Sequence, residues 1–275
     1  MQETITDKMP TGITSLDPIL EGGVPPGSVI LLLGDTGGGN YEFVYSSLIH
    51  LLQLRKEEAK KGIVLPQEIQ YITFTRLQED VKGEILHSFR MDGLEEMLSG
   101  VRFRDLSEQY FDASIVPDDW YSHSDIKSRL QKRAGHEGIL VQLSSVISES
   151  QDASLIVLDS VTDIASQVGT PALWENLTGF LRGLQRISKQ KKLTTYLVLS
   201  RDIIDPAREK EIADIVDAVV LFKWEETTGA RRQRVMYIEK FRGVMPHLEE
   251  RDLVKFAVRI TPAGGFEVSN IRMII

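Results

Sequence analysis

The chain has no cysteine among its 275 residues. Disulfides, thiolate metal sites and cysteine nucleophiles are thereby excluded, and the expectation is a cytoplasmic protein. No apolar run approaches the length that spans a membrane, and the polar stretch Met1–Pro10 is not a secretory signal. The histidines, His50, His87, His123, His136 and His247, show no metal-ligand spacing. No serine stands in a Gly-x-Ser-x-Gly nucleophile elbow. Positive charge is in deficit as well. A net charge of -8 argues against a surface dominated by nucleic-acid binding. What remains is an ordinary globular composition, 42% hydrophobic and 26% charged, with no internal repeat and no convincing domain boundary.

What is present is organised around Leu31–Tyr41, Leu-Leu-Leu-Gly-Asp-Thr-Gly-Gly-Gly-Asn-Tyr. An apolar run enters a glycine-rich turn, and a helical pattern follows at once. This is the layout of a phosphate-cradling loop, with backbone N–H groups wrapping an anion at a helix N-terminus. Gly34 and Gly39 keep the spacing of the Gly-x-x-x-x-Gly frame, and Thr36, Gly37 and Gly38 fill it. Such a loop continues with Lys and then Ser or Thr; here Asn40 and Tyr41 stand there. Asn40 offers an amide dipole without charge. The Tyr41 phenol, on a long rigid ring, is not expected to reach the point where a short hydroxyl holds magnesium. Asp35, inside the loop, is expected to turn outward and cap the turn.

Apolar periodicity predicts the remaining elements. Thr11–Gly23 reads as a short helix stopped by Gly22-Gly23, and Ser28–Leu33 as the first strand. Tyr41–Glu58 and Val81–Ser99 read as helices, with strands at Ile69–Thr75 and Val101–Leu106. Ser107–Ser124 is irregular and aromatic-rich, a lid or a loop pinned to the core. Ile126–Ser150 is largely helical. Leu155–Asp159 is a buried parallel strand ending in a carboxylate, expected as a neighbour of the first strand. A helix at Trp174–Lys189 and a strand at Thr195–Leu199 follow, then a short helix leading into Ala218–Phe222. Beyond this, Arg234–Lys240, Leu253–Ile260 and Phe266–Val268 make a meander, with turns at Thr227–Arg231 and Pro262–Gly265. The predicted class is therefore α/β: a mostly parallel central sheet flanked by helices, with C-terminal antiparallel strands on one edge. Residues 11–270 form one domain between tails at 1–10 and 271–275.

A nucleoside triphosphatase needs a phosphate-wrapping loop, a lysine, a magnesium-holding hydroxyl and carboxylate, and a group that orients water. The loop survives at 34–39, and Asp159 survives as the candidate magnesium carboxylate. Its alternative is a strand-end carboxylate that caps a turn.

Several segments resemble KaiC-like proteins of the RecA superfamily. These are Thr-Gly-Ile-Thr-Ser-Leu-Asp-Pro-Ile-Leu-Glu-Gly-Gly-Val-Pro-Pro-Gly at 11–27, Leu-Ile-Val-Leu-Asp-Ser at 155–160, Ile-Ala-Asp-Ile-Val-Asp-Ala-Val-Val-Leu at 212–221 and Glu-Lys-Phe-Arg-Gly at 239–243. The resemblance implies a RecA-like P-loop fold, ATP or ADP with magnesium at the loop, and assembly with copies of itself or with related ATPases. It also implies that Lys240 and Arg242 reach a neighbouring subunit's nucleotide. The alternative for that pair is a charged edge strand. Where the family carries Gly-Lys-Thr this chain has Gly39-Asn40-Tyr41. Where the family carries paired glutamates after the second strand, it has Thr75-Arg76. The reading is a catalytically impaired ATPase homologue in regulation or scaffolding; an active ATPase with substituted groups and a DNA-recombination accessory are the alternatives. Arg76 is read either as a replacement cation that holds an anion, or as a surface arginine paired with Glu79 or Asp80. Arg231, Arg232 and Arg234 read as a solvated basic hairpin.

Overall fold

The computed structural model describes residues 8–57, 63–112, 114–121, 138–227 and 231–271. Nine strands form one sheet in the order β3-β2-β4-β5-β1-β6-β7-β8-β9. They are β1 (Val29–Gly34), β2 (Ile69–Thr73), β3 (Val101–Asp105), β4 (Leu155–Asp159), β5 (Thr194–Ser200), β6 (Ala218–Thr227), β7 (Arg231–Phe241), β8 (Lys255–Thr261) and β9 (Gly265–Asn270). Pairing from β3 across to β6 is parallel, and β6 through β9 pair antiparallel. The predicted architecture, a parallel centre with an antiparallel edge, is the one observed.

The parallel strands are apolar throughout because both faces are covered. Alternate residues of β1 divide between two cores: Ile30 and Leu32 join one, Val29, Leu31 and Leu33 the other. The first core receives α1 (Asn40–Lys56), α2 (Gln78–Ser88) and α3 (Leu94–Leu98). The second receives α5 (Ile139–Glu149), α6 (Val161–Ser166), α7 (Pro171–Lys191) and α8 (Pro206–Ile215). Two short helices, α4 (Ser107–Phe111) and α9 (Met245–Glu250), and a 3-10 turn at Asp118–Trp120 complete the described set. Among the described residues, no helix is long and apolar enough to cross a membrane.

The structure corrects several local expectations. Residues 14–21 form a run of turns rather than a helix. The Asp17 carboxylate holds them, accepting from the Thr11 N–H at 2.7 Å and hydroxyl at 2.6 Å. Val81–Ser99 is two helices, because Gly93 takes a left-handed conformation with φ 72° as the cap of α3. Met9, placed in the tail by sequence, is buried and bridges Val24. In the aromatic stretch, Phe111 meets Tyr110 edge to face and packs tilted against Tyr121, while Trp120 is exposed. Most of the turn at 227–231, the first part of the 126–150 helix and most of both tails lie outside the described residues.

The strand order carries the correction that matters for the site. β4 does not adjoin β1, since β5 lies between them. β4 instead pairs with β2 in a register that sets Asp159 beside Thr73. The chain leaving β2 therefore passes Asp159 directly.

Candidate nucleotide-loop site

The loop is built where β1 ends. The Asp35 N–H donates to Phe222 O and the Gly38 N–H to Asp35 O, both at 2.8 Å. A Cβ on Gly38 would lie 2.7 Å from Phe222 O and 3.0 Å from Asp35 O, so only glycine fits. Gly39, at φ 112°, starts α1 with no side-chain cap. The first-turn N–H groups of α1 have no intrahelical acceptor, which leaves the helix's positive end facing the loop. Asp35 is not turned outward. Its carboxylate takes Arg201 Nη1 at 3.2 Å and the Trp224 N–H at 3.3 Å, bracing the loop against the segments after β5 and along β6. Thr36 and Gly37 are exposed at the tip. Arg234 Nε donates to Gly37 O at 2.9 Å, and its guanidinium lies 4.3 Å from the Trp224 ring centroid.

Asn40 is 5% exposed. Its side chain folds back on the end of β1: a Cβ on Gly34 would lie 2.5 Å from Asn40 Cγ. Among the described residues, that amide makes no hydrogen bond.

Asp159 is 1% exposed and lies at the centre of a polar cluster. Tyr41 donates to Oδ1 at 3.0 Å, Tyr71 to Oδ2 at 2.7 Å, and Arg76 Nη1 to Oδ2 at 3.2 Å. Arg76 also donates to Tyr45 at 3.0 Å and pairs with Glu84, which accepts from Tyr45 at 3.0 Å. Its guanidinium stands 5.5 Å from the Tyr41 ring centroid. Register explains the convergence. β2 supplies Tyr71 and runs into Arg76, α1 supplies Tyr41 and Tyr45 one turn apart, and α2 supplies Glu84. Ser160 begins α6 with a capping box to Asp163, which fixes the backbone just after Asp159.

The Tyr41 phenol, far out on its ring as expected, bonds directly to the strand carboxylate. One expectation is corrected here. Arg76 pairs neither with Glu79 nor with Asp80, but with Asp159 and Glu84. The anion it holds is the chain's own.

The protonation states follow from burial. Burial pushes the phenols of Tyr41, Tyr45 and Tyr71 well up, and the Asp159 charge pushes the same way, so they remain donors. Burial also raises Asp159, while Tyr71, Arg76 and Tyr41 pull it back down. Arg76 stays charged, because the partners that favour its cation outweigh its desolvation.

A magnesium ion needs oxygen lone pairs arranged octahedrally around it. Asp159 presents lone pairs already engaged by three donors, one of them cationic. A divalent ion there would meet the Arg76 cation beside it and, of the roughly four lone-pair sites of Asp159, only one still unengaged. The residues present do not fit a magnesium site.

Within the chain, Lys240 and Arg242 both engage α8. Lys240 Nζ donates to Ala213 O at 2.9 Å and Asp214 O at 2.7 Å, and Arg242 Nη2 donates to Asp214 O at 2.8 Å. Both cap the C-terminus of α8, where cations are favoured. Arg242 lies just beyond the end of β7, not within it. Of the residues singled out by sequence, Tyr41, Arg76 and Asp159 converge beside the loop, while Lys240 and Arg242 are engaged on α8. Tyr45, Tyr71, Glu84, Arg201 and Trp224 were missed. Tyr45, one helical turn after Tyr41, was the readable signal among them.

The sequence and the fold have known counterparts. The KaiC ATPase family model matches residues 67–270. The circadian clock oscillator protein KaiC of Acaryochloris marina is 27% identical over 271 residues, 96% of this chain. The chain spans 45% of that relative's length. A KaiC-like protein of Pyrococcus horikoshii superposes with a TM-score of 0.61 at 20% identity, over 95% of this chain and 98% of its own. The flagellar accessory protein FlaH of Methanocaldococcus jannaschii superposes with a TM-score of 0.58 at 15% identity, over 92% and 94%. Matched along most of its length and folded as these neighbours are, the chain belongs to the KaiC ATPase family.

Proposed function

We propose that this chain is a KaiC-family domain that no longer hydrolyses ATP and acts in the cytoplasm as a regulatory or scaffold component. It assembles with copies of itself or with active relatives. The observation that carries the reading is the occupation of Asp159 by Tyr41, Tyr71 and Arg76. In active phosphoryl-transfer sites magnesium bridges the β and γ oxygens and neutralises the developing charge. Here the carboxylate that would serve it is committed to protein donors. Asn40 brings no charge to the loop, and an arginine stands where a water-orienting carboxylate is needed. Loss of a general base costs roughly 10²–10⁴ in rate and loss of a charge-stabilising donor roughly 10²–10³. These parts act as a unit, so their losses do not simply multiply. Either loss alone removes efficient turnover.

The test is phosphate release from ATP by the purified chain with excess magnesium. The expected result is no release above the protein-free background. Sustained release that Asp159→Asn abolishes would overturn the reading in favour of an active ATPase with substituted groups.

A further inference from the structure

Several donors surround the loop. Asn40 as a residue is 5% exposed, and its amide lies against Gly34 with no hydrogen-bond partner among the described residues. It is a neutral donor on the loop's floor, where it could meet a phosphate oxygen. The first-turn N–H groups of α1, a helix of 17 residues, stand uncapped above it. At the rim, Arg232 and Arg234 lie 5.0 and 4.3 Å from the Trp224 ring centroid, and neither makes an ion pair among the described residues. The carboxylate nearest to hand, Asp159, is neutralised by Arg76 at 3.2 Å and turned away from a ligand by two phenols. Asp35 is likewise matched by Arg201 at 3.2 Å. Such a site offers an anion donors and, at its rim, two guanidiniums, while three of the roughly four lone-pair sites of Asp159 are already taken, one of them by a cation.

We infer that the loop takes a nucleoside di- or triphosphate as the metal-free anion, and that Arg76, locked on Asp159, keeps divalent cations out. This rests on the reading of the chain as a family member without hydrolysis. It adds that the positive charge normally brought by a metal is supplied by the protein itself. The phosphates meet the Asn40 amide and the α1 N–H groups, with the rim guanidiniums beside them. Asp159 is no ligand; it is the counterion that positions Arg76.

The experiment is calorimetric titration of the intact protein with ADP and with ATP, once in EDTA and once in excess magnesium chloride. The expected result is binding in EDTA at least as tight as in magnesium. Magnesium chloride alone is expected to leave the melting temperature unchanged. Affinity tenfold or more higher with magnesium, or no binding in EDTA, overturns the inference. Arg76→Ala supplies a second arm, its fold checked by circular dichroism. Freed of its partner, Asp159 becomes available to a cation, so binding is expected to weaken at least tenfold in EDTA and to recover with magnesium. Unchanged binding in EDTA would remove Arg76 from the account. Phosphate assayed in the same samples separates the two proposals. Release with magnesium refutes the non-hydrolytic reading, whereas magnesium-dependent binding without release refutes the metal-free site alone.

Discussion

Replacing Arg76 by alanine tests the cluster through stability alone, without any ligand. Asp159 is 1% exposed, and Arg76 is the cation facing it at 3.2 Å. Removing one partner of a buried pair typically costs about 3–5 kcal/mol, because the other charge stays buried without compensation. The Arg76 side chain is 29% exposed, so water screens part of the pair. The Tyr41 and Tyr71 phenols also still hold the carboxylate. The expected loss is therefore about 2–3 kcal/mol at neutral pH. The pH dependence has a definite sign. In the folded chain the Asp159 carboxyl sits above its ordinary 3.8, since burial outweighs the bonds from Tyr71, Arg76 and Tyr41. The folded state binds that proton more tightly than the unfolded state does. Protonation thus adds stability that is fully present below 3.8 and lost as pH rises through the folded value. Without Arg76 the folded value rises further. The variant's deficit is then largest at neutral pH and closes as pH falls toward 3.8. Urea unfolding followed by circular dichroism, at neutral and at mildly acid pH, measures both terms. A variant as stable as the parent at neutral pH, or a deficit that does not shrink on acidification, would refute the reasoning. Glu84→Gln is the control: its side chain is 45% exposed, so its pairing with Arg76 is worth less than about 1 kcal/mol.

Tyr71→Phe removes a 2.7 Å hydrogen bond to the same buried carboxylate. Equilibrium unfolding should show a loss of about 1.5–3 kcal/mol, the usual worth of a bond to a charged group. Gly38→Ala sets a Cβ 2.7 Å from Phe222 O, a backbone atom that cannot swing aside. It should cost about 1–3 kcal/mol in thermal unfolding, as overpacking does, and should weaken ADP binding because the loop must move. Lys240→Ala frees the Ala213 and Asp214 carbonyls at the end of α8. The expected cost is about 0.3–1 kcal/mol, read most directly as faster amide exchange in the last turn of α8.

The sheet was legible because burial on both faces writes itself as apolar runs. Leu31–Leu33, Leu155–Leu158 and Tyr196–Leu199 announce parallel strands without help from any neighbour. Helix ends were less legible. The break between α2 and α3 depends on one glycine taking a left-handed conformation, and Gly93 on its own marks no more than an optional stop. Strand order left no local trace. Whether β4 lies beside β1 or one strand away depends on which crossovers pack, and nothing within Leu155–Asp159 encodes that.

That single strand of displacement explains why the site was only half readable. Tyr41 and Arg76 stood out as substitutions at positions where a family pattern expects something else. What they do together depends on geometry. A phenol on α1 spans directly to Asp159, one strand away from β1. With β2 on the other side of β4, the residue three places after Thr73 meets the same carboxylate. The substitutions also bear on one another through charge. A carboxylate at position 76 would set a third negative charge beside Asp159 and Glu84, and in a partly buried site like charges a few ångströms apart repel strongly. Arg76 instead answers two carboxylates with one cation, so the strand end is where this chain places the positive charge that its loop, with Asn40 after Gly39, does not bring.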